Sequence, residues 1–97
     1  MTDIEREAYE QKMNARLLKW DAQMQVLKAR AKEAGANAKA EIGKELDDLE
    51  KRSDVAREKL RELRNSSGEA WQDLKAGLDN SWRSLQGALE AAKSRFK

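Results

Sequence analysis

Few residues in this 97-residue chain could carry out chemistry. Histidine and cysteine are both absent. Their absence removes the commonest general base, the Glu-x-x-His ligands of helical di-iron sites, thiolate metal ligands and redox thiols. Carboxylates, lysines and a few serines remain. We therefore expect no catalytic residue, no metal ligand and no cofactor in this protein.

Two pairs of carboxylates come closest to a catalytic or cation-binding arrangement. Glu41 precedes Glu45 by four residues, and Glu58 precedes Glu62 in the same way. Residues four apart are neighbours on a helix surface, so each pair could share a proton or a cation. Basic residues are interleaved throughout this stretch, which favours a solvated, salt-bridged face. We interpret the pairs as surface charge and predict that the protein is not an enzyme.

The elements that would position any site are predicted to be helices. There is no proline, and the charged fraction of 39% equals the hydrophobic fraction, a balance typical of long helices with narrow apolar seams. Thr2 and Glu5 form a capping box that begins the first helix. Apolar residues then recur at alternating steps of four and three, which is a heptad seam. This first seam comprises Met13, Leu17, Trp20, Met24, Leu27, Ala31, Ala34 and Ala38.

A second heptad seam follows after a change of phase between Ala38 and Leu46. It comprises Ile42, Leu46, Leu49, Ser53, Ala56, Leu60 and Leu63. A turn near Gly35, with Asn37 capping the next helix, would explain the change of phase. A four-residue stutter in one continuous helix would also explain it, since Gly35 costs only about 1 kcal/mol in a helix. We favour the turn.

A third helix is predicted after a capping box formed by Ser66 and Glu69. Here the spacing changes to eleven residues, which returns to nearly the same helix face. The resulting stripe comprises Trp71, Leu74, Leu78, Trp82, Leu85, Leu89 and Phe96. We expect it to be the core face of this helix. It could alternatively be an amphipathic surface that binds the membrane interface reversibly through its tryptophans.

The sequence therefore predicts one all-α domain over residues 1–97, with helices at about 3–34, 38–65 and 67–95. The preferred architecture is an antiparallel three-helix bundle or coiled coil. The alternative is one long helix over 3–65 with helix 67–95 folded back on it, which would leave half of the long seam to dimerise.

Charge and composition limit the partners. Basic and acidic residues number 20 and 18 and are mixed along the chain, so no basic stripe for nucleic acid is expected. The first residues lack an apolar secretory signal and no run is long enough to cross a bilayer, so we expect a cytoplasmic protein.

The C-terminal tract carries a resemblance to a known family. Residues Ser67 to Gly77, then Ser81 to Leu85 and the ending Ser94 to Lys97, resemble a family of small bacterial coiled-coil stress-response proteins. The family is similar in turn to the amphipathic repeats of apolipoproteins and late-embryogenesis-abundant proteins. The resemblance covers nearly the whole chain and implies a stress-linked, non-enzymatic role without a defined ligand.

The sequence thus predicts a coiled-coil interaction or structural protein that associates with itself or with another helical protein. The side chains expected to mediate helix packing or interaction are Trp20, Met24, Leu27, Leu60, Leu63, Trp71, Leu74, Leu78, Trp82, Leu85, Leu89 and Phe96.

Overall fold

The chain forms three long helices in a computed structural model that describes residues 2–95. They are α1 (Asp3–Glu33), α2 (Ala36–Arg64) and α3 (Gly68–Arg95). Both α1 and α3 pack on α2, and the bundle measures 51 × 18 × 17 Å. The prediction of an all-α three-helix bundle is confirmed. The alternative of one continuous helix over 3–65 is wrong, because the chain turns back after Glu33.

The first helix begins where the capping box predicts. The Thr2 hydroxyl accepts a hydrogen bond from the Glu5 backbone N–H at 3.2 Å. Asp3 and Glu5 lie in the first turn, and Arg30 and Lys32 lie in the last turn. This distribution of charge complements the helix dipole at both ends.

The turn between α1 and α2 is built differently from the prediction. Ala34 and Gly35 are both extended, with ψ angles of 156° and 162°, and Gly35 is the N-cap of α2. No glycine among the described residues has a positive φ. Asn37 lies inside α2 and does not cap it. Two successive extended residues, rather than a left-handed glycine, therefore reverse the chain here.

The N-cap of α3 lies one residue after the N-cap of the predicted capping box, Ser66. The Ser67 carbonyl accepts the first hydrogen bond of α3, from the Trp71 N–H at 2.9 Å. Ser67 therefore occupies the N-cap position. The Ser66 hydroxyl donates to the Leu63 carbonyl at 2.7 Å, and so closes the C-terminal end of α2.

The predicted seams form the core. All seven residues of the α2 seam are buried. On α1 the seam is buried from Met13 to Leu27, and Ala31 and Ala34 are partly buried against the core. Ala38 is exposed. Its assignment to the α1 seam is therefore wrong, because the turn ends that seam at Ala34. Full burial of a leucine or methionine contributes about 1.5–3 kcal/mol, so these seams supply much of the stability.

One polar residue lies in the core at a seam position. Ser53 is 2% exposed. Its hydroxyl donates to the Glu50 carbonyl at 2.8 Å and accepts from the Arg57 guanidinium at 3.0 Å. Because the hydroxyl both donates and accepts within α2, its burial is tolerable.

Aromatic contacts join α1 to α3 and show that these two helices run in parallel. Tyr9 meets Trp71 edge to face, with ring centroids 5.5 Å apart, and Trp20 meets Trp82 in the same way at 6.3 Å. Edge-to-face pairs add about 0.5–1.5 kcal/mol each beyond the burial of their area. The pairs fix the register of α1 against α3.

Candidate interaction surface

Eleven of the twelve side chains predicted to mediate helix packing or interaction lie in or against the core of the bundle. On α1 and α2 they are all buried: Trp20, Met24, Leu27, Leu60 and Leu63. On α3 the buried members are Trp71, Leu78, Trp82, Leu85 and Leu89. Leu74 is partly buried against the same core, and Phe96 lies outside the described residues. The ten buried side chains pack the helices of one chain together, so in the closed bundle they are not available to a partner.

Two of the carboxylates singled out for chemistry are engaged in ion pairs. Glu58 is exposed and pairs with Arg61 of its own helix. Glu45 pairs with Arg95 of α3, but its side chain is only 28% exposed and its Oε2 atom is buried without a hydrogen-bond partner among the described residues. Among residues 2–95, no group of three or more carboxylates is arranged to hold a metal ion. Surface ion pairs typically contribute about 0–1 kcal/mol.

A polar cluster joins the N-terminal halves of α1 and α3. The Tyr9 hydroxyl donates to the Asp79 carboxylate at 2.6 Å, and the Lys75 ammonium lies 5.3 Å from the centre of the Tyr9 ring. Burial, and then the hydrogen bond to Asp79, raise the pKa of Tyr9 well above its usual value. The raised pKa keeps the phenol protonated above its ordinary value of about 10, and its hydrogen bond links α1 to α3.

Two tryptophans carry indole groups without an acceptor. The Nε1 atoms of Trp20 and Trp71 are buried and have no hydrogen-bond partner among the described residues. A buried donor left without an acceptor costs about 1–3 kcal/mol. The Arg6 guanidinium lies 5.5 Å from the centre of the Trp71 ring and offsets part of this cost through a cation–π contact. The closed bundle is thus less stable than its apolar burial alone would make it.

The most unusual surface is the side of α1 that points away from the core. Three of the four exposed large apolar side chains of the described chain lie on it: Ile4 is 80% exposed, Leu18 62% and Val26 52%. Uncharged residues recur there at alternating steps of four and three. We call this set the outer face of α1. It comprises Ile4, Ala8, Gln11, Ala15, Leu18, Ala22, Gln25 and Ala29, with Val26 at its margin, and all of them are exposed.

Exposed outward positions of the other two helices carry charges, at five of six positions on α2 and at three of six on α3. On α2 the same four-and-three spacing gives Lys44, Asp48, Lys51, Val55, Glu58 and Glu62, all exposed. On α3 it gives Glu69, Asp73, Ala76, Asn80, Arg83 and Gly87, also exposed. A solvated helix face ordinarily carries such charges. The outer face of α1 therefore carries a second line of heptad-spaced uncharged residues, on a helix whose first seam is buried.

Charged side chains line both margins of this outer face. Glu7 and Lys28 lie on one margin, and Lys12, Lys19 and Glu33 on the other. In coiled coils, salt bridges between residues at such margin positions determine which helices pair and in which orientation. An uncharged line with charged margins is a pattern that helix-packing interfaces also show.

This face was not predicted from the sequence, although a signal for it was present. Alanine recurs every seven residues at 8, 15, 22 and 29, each time four residues after one of Ile4, Gln11, Leu18 and Gln25. A search for large apolar residues finds the Trp, Leu and Met seam on the same helix first. Isolated alanines then indicate only a high helix propensity.

Comparison of the chain with protein-family models, with curated proteins and with solved structures gives no match. Over residues 2–95, none of the three helices combines the length and the apolar composition that a membrane span requires. The surface itself is therefore what points to a function.

Proposed function

We propose that this chain is a non-enzymatic coiled-coil interaction protein that binds a second copy of itself or another helical protein through the outer face of α1. The single observation that carries the proposal is the uncharged heptad seam left exposed on that face. The resemblance noted in the sequence adds a stress-related role, and the cysteine-free composition fits a cytoplasmic setting.

Exposure of this face costs free energy that a partner helix would recover. Leu18 is 62% exposed, so covering it would contribute about 1–2 kcal/mol. Ile4 and Val26 add similar amounts. The alanines between them add little area, but they let a partner helix approach closely. Over the length from Ile4 to Ala29, roughly 38 Å at 1.5 Å per residue, the contributions add up to a modest, reversible association.

A nucleic acid is not the proposed partner, because basic side chains on the exposed faces alternate with acidic ones. Asp48 pairs with Arg52, for example, and Glu58 with Arg61. Phosphate backbones are bound by basic patches that lack such neutralising carboxylates.

The proposal is tested by crosslinking in the cells that produce the protein. A photoreactive residue is placed at Leu18 on the outer face and, as a matched control, at Val55 on α2, which is 51% exposed. We expect a discrete crosslinked species from position 18 and none from position 55. Equal yields from the two positions, or none from either, would contradict the proposal.

A second candidate function is reversible binding to a membrane surface through α3. The observation that favours it is the buried indole N–H of Trp71, which lacks an acceptor in the closed bundle. At a lipid interface this group would find water or headgroup acceptors. Because Trp71 and Trp82 are core residues, the bundle would have to open and exchange protein contacts for lipid contacts.

Quenching of tryptophan emission by brominated lipid chains tests this alternative. Vesicles of neutral and of anionic lipid are titrated into the protein, and unbrominated vesicles serve as controls. Membrane insertion of α3 predicts quenching that depends on bromination. Emission that is unchanged with both lipid types would remove the alternative.

A further inference from the structure

The outer face of α1 also carries information about which helix covers it and in which direction that helix runs. We propose that its occupant is the outer face of α1 from a second copy of this chain, packed parallel and in register about a two-fold axis. This inference rests on the proposed function and names the partner of the same surface.

The layers along the outer face fit a parallel, in-register pair. In such a pair each seam residue meets the same residue of the second copy, so Gln11 meets Gln11 and Gln25 meets Gln25. The two amides of each glutamine layer can then hydrogen-bond to each other. An antiparallel pair with the same overlap sets each glutamine against an alanine, Gln11 against Ala22 of the second copy. The polar layers therefore favour the parallel register.

The charged margins distinguish the two directions more sharply. In the parallel pair, Glu7 faces Lys12 of the second copy and Lys28 faces Glu33 of the second copy. The two-fold axis repeats each contact, so four attractive pairs form and no like charges meet. In the antiparallel pair, Glu7 still faces a lysine, Lys28 of the second copy. Lys12, however, faces Lys19 of the second copy, and the two-fold axis repeats this repulsive contact. Charge complementarity thus selects the parallel arrangement.

The three-dimensional arrangement of the bundle permits this pairing. The outer face is exposed along its whole length, whereas the seam of the same helix is buried, so a second α1 helix can lie along it. Lys28 already pairs within its own bundle with Glu50 of α2, so Glu33 of the second copy would share this lysine with Glu50. Glu7, Lys12 and Glu33 make no ion pair within the described chain. Glu7 accepts a hydrogen bond from the Gln11 amide of its own helix at 3.4 Å, which leaves its charge available to Lys12 of the second copy.

Single-cysteine crosslinking tests the proposal, because the chain has no cysteine of its own. Gln11→Cys is oxidised under native conditions and its crosslinked mass is read by denaturing electrophoresis, with Leu18→Cys as a second position. The parallel register places each cysteine beside its own copy, so we expect a disulfide-linked species of twice 11.1 kDa. The control Val55→Cys should stay monomeric. All of these positions are exposed, and circular dichroism verifies that each variant is folded.

Charge reversal provides a second readout on the same dimer. Lys12→Glu sets glutamate against Glu7 in the parallel pair, so we expect sedimentation equilibrium to show several-fold weaker dimerisation. Adding Glu7→Lys to this variant should restore the dimer. In the antiparallel pair, Lys12→Glu would instead replace a repulsion with Lys19 by an attraction and strengthen association.

Four results would overturn the inference. The parallel direction is wrong if Gln11→Cys fails to crosslink with itself while a mixture of Gln11→Cys and Ala22→Cys crosslinks efficiently. It is also wrong if Lys12→Glu tightens the dimer. If the protein stays monomeric and yet crosslinks from position 18 to a different protein in cells, the second copy is not the partner, whereas the proposed function stands. The absence of both kinds of crosslink would defeat the two proposals together.

Discussion

Two adjacent leucines on α1 provide a direct test of which face is buried within the bundle. Leu17 is 4% exposed and belongs to the core, whereas Leu18 is 62% exposed and lies on the outer face. Replacing each by alanine removes the same atoms from adjacent positions of one helix. Helix propensity changes by the same small amount in both variants, so the difference between them isolates the effect of burial.

The expected difference is large. Leu17→Ala leaves a cavity in the core, and such truncations cost about 2–5 kcal/mol. In a domain of this size a loss of about 3 kcal/mol lowers Tm by roughly 10–25 °C. Leu18→Ala should change the free energy of unfolding by no more than about 0.5 kcal/mol, as is usual for surface positions.

The assay is urea denaturation of both variants followed by far-ultraviolet circular dichroism, at a concentration low enough to keep the protein monomeric. Equal m-values in the variants and the unaltered protein would show that the comparison concerns stability alone. If Leu18→Ala destabilises the monomer as much as Leu17→Ala does, the assignment of the two faces of α1 is refuted.

Two further predictions concern the polar cluster and the first turn. Tyr9→Phe should cost about 1 kcal/mol by removing the hydrogen bond to Asp79. The pKa of Tyr9 is higher in the folded state than in the unfolded state. The protonated phenol therefore contributes fully to the free energy of unfolding below the unfolded pKa of about 10, and this contribution is lost as the pH rises above about 10. The free energy of unfolding should therefore fall more steeply above about pH 10 in the unaltered protein than in Tyr9→Phe. Urea denaturation across that pH range measures this difference. Equal dependence on pH in the two proteins would contradict the role given to Tyr9. Gly35→Asp should raise the free energy of unfolding by about 0.5–1 kcal/mol. Gly35 is the N-cap of α2, makes no side-chain hydrogen bond there and has a negative φ. The position that a Cβ would occupy is open, so aspartate fits without a clash. A lower Tm in Gly35→Asp would show that the turn needs glycine.

The fold was predictable where large apolar residues repeat without interruption. On α2, seven positions from Ile42 to Leu63 follow the four-and-three spacing, and all seven are buried. The turn after α1 was harder to predict. Neither a proline nor a left-handed glycine marks it, and the energy by which Gly35 disfavours a continuous helix is small. Packing of α2 back along α1 decides between the two chain paths, and that packing is a property of the whole chain.

The candidate interaction surface was less predictable than the fold. Large seam residues such as Trp20 and Trp82 were predicted to mediate helix packing or interaction, and they pack the helices of one chain together. Whether a seam is buried within the chain or left exposed for a partner depends on the number of seams and on the pairing of the helices. Only the three-dimensional packing showed that the seam with Leu18 stays uncovered while the seam with Leu17 does not.

The tryptophan and leucine seams close within one chain, so we expect any association to use a separate surface. The most direct measurement is a dilution series in which sedimentation equilibrium reports the mass and circular dichroism reports the helicity of the same samples. We predict that the mass falls from dimer to monomer while the helicity stays constant. Loss of helicity in step with the loss of mass would contradict this account, because it would mean that the buried seams are shared between chains.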